Sequence, residues 1–97
     1  MLNYTVTRTE HPTSAEKLAE ILQDPGFGKK FTDHMVTIDW NEEKGWHDAQ
    51  VRPYAPFSMD PASNIFHYGQ AIFEGIKAYR QPDGSIATFR PEENAQR

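Results

Sequence analysis

The run Phe66-His-Tyr-Gly-Gln-Ala-Ile-Phe-Glu-Gly-Ile-Lys-Ala-Tyr-Arg80 restricts the fold more than any other part of the chain. A segment used only as core keeps one hydrophobic period, about 3.6 for a helix or 2.0 for a strand. This run changes period near Gly75 and packs two glycines, several aromatics and a single Glu into a short stretch. Ala71 and Ile72 fall three and four residues after Tyr68, which predicts a helix over 68–75 that Gly75 turns into a strand. Such a joint favours a helix feeding a strand beside a site.

The 97 residues suffice for one small domain. A chain of this size buries about 60 to 65 per cent of its unfolded surface, so only a modest core is expected. Hydrophobic residues make up 37% and charged residues 25%, a globular balance, while seven prolines and six glycines demand long connections. Net charge is −4 and the ten Lys and Arg are scattered, so the footprint of a nucleic-acid binder is missing. There is no cysteine, which removes disulfide and thiolate chemistry and fits a reducing compartment. The N-terminus does not read as a signal peptide, and no apolar run approaches the roughly 20 residues needed to span a bilayer. The expectation is a soluble cytoplasmic protein with no membrane partner.

Along the chain, Leu2, Tyr4 and Val6 alternate with polar residues as an edge strand or ordered tail does. Thr13-Ser-Ala-Glu16 has the form of a capping box, and Leu18, Ile21 and Leu22 predict a helix from about 14 to 22 that ends before Asp24-Pro25-Gly26. Phe31 to Trp40 reads as a strand with Val36, Ile38 and Trp40 on one face. Asn41 to Gly45 reads as a polar turn, and Trp46 to Tyr54 as a return strand broken by Pro53. Residues 55–63 are expected to be irregular. Ile76 to Arg80 and Ser85 to Arg90 flank Gln81-Pro-Asp-Gly84, where Pro fixes φ and Gly accepts positive φ, a hairpin. Pro91-Glu92-Glu93 opens a last helix, with Pro in the first turn and acids at the positive end of the dipole. It stops at Arg97 without a closing cap, which predicts a fragment ending inside an element.

Candidate chemistry is sparse. The histidines at 11, 34, 47 and 67 form no short metal-ligand pair, so no metal site is predicted; His34 and His67 suit hydrogen bonds in a half-buried sheet or loop. Gly26-Phe-Gly28-Lys-Lys30 lacks the glycine spacing and the hydroxyl residue of a phosphate loop. Phe27 is a loop plug or a pocket wall. Tyr68 and Phe73 would stand about 140° apart on a helix, in a core or on two walls of one concavity. Glu74 reads as a cap or an ion-pair partner. Arg97, close to the start of the last helix, is a solvated surface residue or an anion ligand helped by free helix N–H groups.

Three ordered segments, Phe27-Gly-Lys-Lys-Phe-Thr-Asp-His-Met35, His67-Tyr-Gly-Gln-Ala-Ile-Phe-Glu-Gly75 and Phe89-Arg-Pro-Glu-Glu-Asn-Ala-Gln-Arg97, resemble the branched-chain amino acid aminotransferases, fold-type IV pyridoxal-phosphate enzymes. The resemblance implies an α+β fold, the incomplete two-layer small domain of that fold type, with antiparallel hairpins and short helices. Residues 1–26 would be an N-terminal extension with a short helix, and residues 27–97 the first part of the small domain. It implies reversible amino transfer between leucine, isoleucine or valine and 2-oxoglutarate, with pyridoxal 5'-phosphate as electron sink. By the same resemblance Phe27 and Phe73 wall the apolar pocket, Tyr68 lines the pocket of the neighbouring subunit in a homodimer, and Arg97 contacts the cofactor phosphate.

The lysine that forms the Schiff base in this family has no counterpart among Lys17, Lys29, Lys30, Lys44 and Lys77, so no catalytic residue is expected in this chain and the chain alone is expected to be inactive. D-amino acid aminotransferases and 4-amino-4-deoxychorismate lyases are the rivals within the fold type, and Phe-Thr-Asp-His-Met with the aromatic pair favours branched-chain substrates. A stand-alone binding or dimerisation module is the rival from another class.

Overall fold

A computed structural model describes residues 2–97. The elements run β1 (Thr5–Val6), α1 (Ala15–Gln23), β2 (His34–Asn41), β3 (Gly45–Pro53), α2 (Asn64–His67), β4 (Ala78–Arg80), β5 (Ile86–Thr88) and α3 (Pro91–Gln96). Mixed short helices and antiparallel hairpins make this an α+β chain, as expected. It divides into two compact units, one up to Phe57 and one over Ser58–Arg97.

The first unit is built on the β2–β3 hairpin. Its turn is closed by Asn41, whose Oδ1 accepts the Lys44 N–H at 2.7 Å, and by Gly45 at φ +65. Pairing runs antiparallel from Asn41↔Gly45 to His34↔Pro53, so Pro53 ends the strand, where its missing N–H costs least. Between Thr37↔Gln50 and Asp39↔His47 a β-bulge sets Ile38 against both Asp48 and Ala49. Asp48 takes φ +51, a left-handed conformation that a short polar side chain tolerates. Ala49 beside it, 3% exposed, is the one buried hydrophobic side chain among the described residues. Val36 and Trp40 are exposed and Ile38 is half-buried, so the face that they share is not covered. β1 adds a parallel edge to β3 with Thr5↔Gln50 and Val6↔Val51, in the order β1-β3-β2.

Two expectations at the start of this unit are corrected by the same side chain. The Asp33 carboxylate accepts the Thr13 N–H at 2.8 Å and the Thr13 hydroxyl at 2.5 Å. Thr13 is thereby withdrawn from the capping box, and the cap passes to Ser14, whose Oγ accepts the Lys17 N–H at 3.2 Å. Short polar side chains that bind nearby backbone compete with the ladder. Thr32, whose hydroxyl donates to the His34 carbonyl at 2.6 Å, and Asp33 therefore delay β2 to His34. Phe31 leaves the strand and stacks on Tyr54, with ring centroids 5.6 Å apart.

In the second unit the β4–β5 hairpin has the expected turn and shorter arms. The Gly84 N–H donates to the Gln81 carbonyl at 2.9 Å, the Gln81 N–H donates to Ser85 at 2.8 Å, and Gly84 holds φ +85. Asp83 Oδ1 accepts the N–H and the hydroxyl of Ser85. The helix predicted over 68–75 is not formed. Helix α2 lies just before it and ends at His67, with Tyr68 as cap and Gly69 at φ +63, and residues 69–77 belong to no regular element. Asn64 dictates this end: its carbonyl accepts from Tyr68 and Gln70, and its Nδ2 donates to Gln70 Oε1 at 2.8 Å. Gly75 is therefore no joint between helix and strand: the helix has ended by Tyr68 and β4 starts only at Ala78.

The chain exposes 9260 Å². A single globular protein of 11.1 kDa exposes about 5,700 Å², and two separate ones of the sizes of these units about 6,800 Å². Only about 43 per cent of the unfolded surface is thus removed from water, against the 60 to 65 expected. Two small sheets whose faces stay largely open are the reason.

Candidate functional site

The best-organised polar cluster lies where α3 meets residues 74–75. Arg90 precedes α3 in the left-handed region (φ 43, ψ 56) and ion-pairs with Glu93, while Pro91 occupies the first turn. Asn94 and Arg97, three residues apart, share one face of the helix line. Both reach back across the chain to Glu74. Arg97 Nε donates to Glu74 Oε1 at 2.6 Å and Nη2 to Oε2 at 2.7 Å, a bidentate pair. Asn94 Nδ2 donates to the same Oε2 at 2.8 Å and to the Gly75 carbonyl at 3.1 Å.

These contacts set the protonation states. The Arg97 hydrogen bond, above all, holds the Glu74 carboxyl down at about 2, with partial desolvation opposing and the Asn94 bond and the Arg97 charge assisting. Arg97 is raised in turn, first by its hydrogen bond to Glu74. The side chains are 29% and 60% exposed, so water and salt reach the pair. The guanidinium spends two of its five N–H groups on Glu74. Three remain, on the edge away from the carboxylate, and that donor set fits the oxygens of a phosphate.

The four residues singled out from the sequence are distributed as follows. Arg97 is at the C-terminal cap of α3, not near its start, so carbonyls rather than free N–H groups are its backbone neighbours. Phe73 directly precedes Glu74 and is 94% exposed. Tyr68 caps α2 and is 83% exposed; since no helix joins it to Phe73, the angle of about 140° between them does not apply. Phe27 belongs to the other unit, in a loop flanked by Gly26 and Gly28, both at φ +67, and at 98% exposure it plugs nothing among the described residues. None of the four lines either of two open hollows: about 240 Å³ beside Leu18, Leu22 and Phe31, and about 410 Å³ beside Tyr79, Ala87 and Phe89. His34 makes the hydrogen bond expected of it, accepting the Thr9 N–H at Nε2 (3.0 Å). The His67 ring lies tilted against Phe66, with centroids 6.5 Å apart. Asn94 was not anticipated, although its spacing of three from Arg97 was the available signal.

No family model matches the chain. Individual proteins do. A probable branched-chain-amino-acid aminotransferase of Streptomyces coelicolor is 64% identical over 87 residues, covering 90% of this chain and 24% of that protein. The branched-chain-amino-acid aminotransferase of Mycolicibacterium smegmatis is 54% identical over 96 residues, 99% of this chain and 26% of that protein. By sequence, the chain matches the N-terminal portion of branched-chain-amino-acid aminotransferases. Branched-chain-amino-acid transaminase 1 of Bacillus subtilis is likewise 54% identical over 72 residues, 74% of this chain and 20% of that protein. The chain therefore spans about a quarter of the length of the aminotransferases it matches. Among the described residues no helix is long and apolar enough to cross a membrane.

Proposed function

We propose that this chain is the N-terminal segment of a cytoplasmic, pyridoxal-phosphate-dependent aminotransferase that moves an amino group reversibly between leucine, isoleucine or valine and 2-oxoglutarate. The observation that carries the reading is the 64% identity over nine-tenths of the chain to a protein named for that activity. In this reading the chain supplies specificity and cofactor anchorage, and the family's cofactor-bearing lysine lies outside it. The bound cofactor supplies an electron sink for the amino acid's α-carbon.

Phe27 and Phe73 wall the pocket for the aliphatic side chain, and Tyr68 walls the pocket of a second subunit in a homodimer. Their near-complete exposure supports this: a large aromatic ring left in water is costly unless something covers it. Aromatic walls exclude water from an aliphatic substrate and discriminate by about 1 to 3 kcal/mol per methylene. Arg97 binds the cofactor phosphate through the N–H groups that Glu74 leaves free, as its donor set supports.

The test has two arms. The whole enzyme should form glutamate from 2-oxoglutarate with each of the three branched-chain amino acids and not with D-alanine; the reverse preference would sink the assignment. The 97-residue chain, incubated with pyridoxal phosphate and borohydride, should show no single lysine labelled in stoichiometric yield. One such lysine found by peptide mapping would place the chemical centre inside this chain.

A further inference from the structure

We propose that Glu74 and Asn94 are positioning residues for Arg97, orienting its guanidinium so that one fixed edge faces the cofactor phosphate. The inference rests on the phosphate role of Arg97 proposed above and adds what makes that role specific. An arginine on a flexible stem must lose rotamer freedom to bind an anion, and prior ordering removes that loss from the binding step. Here the ordering has two layers. Glu74 takes Nε and Nη2 together, fixing the plane and rotation of the guanidinium. Asn94 then fixes Glu74, bonding its Oε2 and the Gly75 carbonyl through one amide nitrogen, so the carboxylate is tied to the backbone at residue 75. What is left is the edge formed by Nη1 and the second Nη2 hydrogen, the pair that takes two phosphate oxygens end-on.

Charge alone argues against this partnership. A carboxylate beside the arginine cancels its formal charge and weakens its attraction for any anion. Orientation and attraction therefore predict opposite signs when the carboxylate is removed.

The measurement is the ratio of the dissociation constants of pyridoxal and pyridoxal phosphate on the whole aminotransferase stripped of cofactor, read by absorbance titration with no turnover involved. The ratio isolates the phosphate. Glu74→Gln should lower it about fivefold although the protein becomes more positive, and Asn94→Ala about twofold in the same direction, as expected for ordering one long side chain. The phosphorus resonance of the bound cofactor should move toward that of the free compound in both variants. A ratio unchanged alongside a lowered Tm would make the cluster a structural brace and overturn the inference. A raised ratio would make Glu74 a competitor of the phosphate and overturn it too. Asn94→Ala carries the test if Glu74→Gln does not fold. Arg97→Ala separates the two claims: if it leaves the ratio unchanged, the phosphate role of Arg97 fails and the positioning role with it. If it lowers the ratio while Glu74→Gln does not, only the positioning role fails.

Discussion

Glu74 holds α3 against residue 74 through its two bonds from the Arg97 guanidinium. Its place between Phe73 and Gly75 suggests a cap or an ion-pair partner, and the structure makes it the partner of Arg97. Its carboxyl is held at about 2, below the ordinary 4.5, because the charged form accepts from Arg97 and Asn94. A depressed folded value means that the ion pair stabilises the fold fully above the unfolded pKa and is lost as pH falls through the folded one. The tether between α3 and residue 74 should therefore hold at neutral pH and release between about pH 4.5 and 2. Carbon NMR of the Glu74 carboxyl should show a midpoint near 2, and Arg97→Met should return it toward 4.5. A midpoint near 4.5 in the unsubstituted protein would mean that the pair does not form in solution. Asn94 left one signal in the chain, its spacing of three from Arg97, but its bond to Glu74 and the bidentate geometry depend on a fold-back over about twenty residues that no local period encodes.

At the scale of elements, local chemistry was legible where a turn or cap is self-contained. Gln81-Pro-Asp-Gly84 closes as its residues dictate, and Asn41 to Gly45 does the same. Where a side chain reaches far along the sequence the local rule failed, as when Asp33 takes Thr13 from its capping box across twenty residues. The predicted helix over 68–75 failed for another reason. Periodicity at Tyr68, Ala71 and Ile72 was real, but Asn64 and Gly69 end α2 before that face begins. The structure thus gives Ser14 a cost that a capping box on Thr13 did not assign to it, beside the cost already expected at Gly84. Gly84→Ala forces an L side chain to φ +85 and should cost about 1 to 2 kcal/mol, whereas Ser14→Ala removes one cap bond and should cost about 1 kcal/mol. Hydrogen exchange in the full-length protein should show faster amides in β4–β5 for the first and in the first turn of α1 for the second. Equal protection before and after either change would refute its structural assignment.

For the whole chain the decisive quantity is surface. The excess over one globular protein of this mass is about 3,600 Å², more than four times the roughly 800 Å² that each partner buries in a standard interface. Much of it is apolar: Phe27, Ile72, Phe73 and Phe89 are nearly bare, and Ala49 is the only buried hydrophobic among the described residues. At about 25 cal/mol per Å², so much uncovered surface outweighs the 5 to 15 kcal/mol that separates a typical fold from its unfolded chain. The units should then be ordered only when the remainder of the polypeptide, or a second subunit, lies against them. The β2–β3 hairpin is the best placed to persist alone, having the longest paired register and the buried Ala49. The 97-residue chain by itself should bind an apolar dye such as anilinonaphthalene sulfonate, melt without a cooperative transition, and retain slow amide exchange only in β2 and β3. In the full-length protein the dye signal should vanish and protection should extend to β4, β5 and α3. A sharp, two-state melt of the short chain without dye binding would show that these faces need no cover, and would remove the support that the exposed aromatics lend to the pocket-wall role proposed for them.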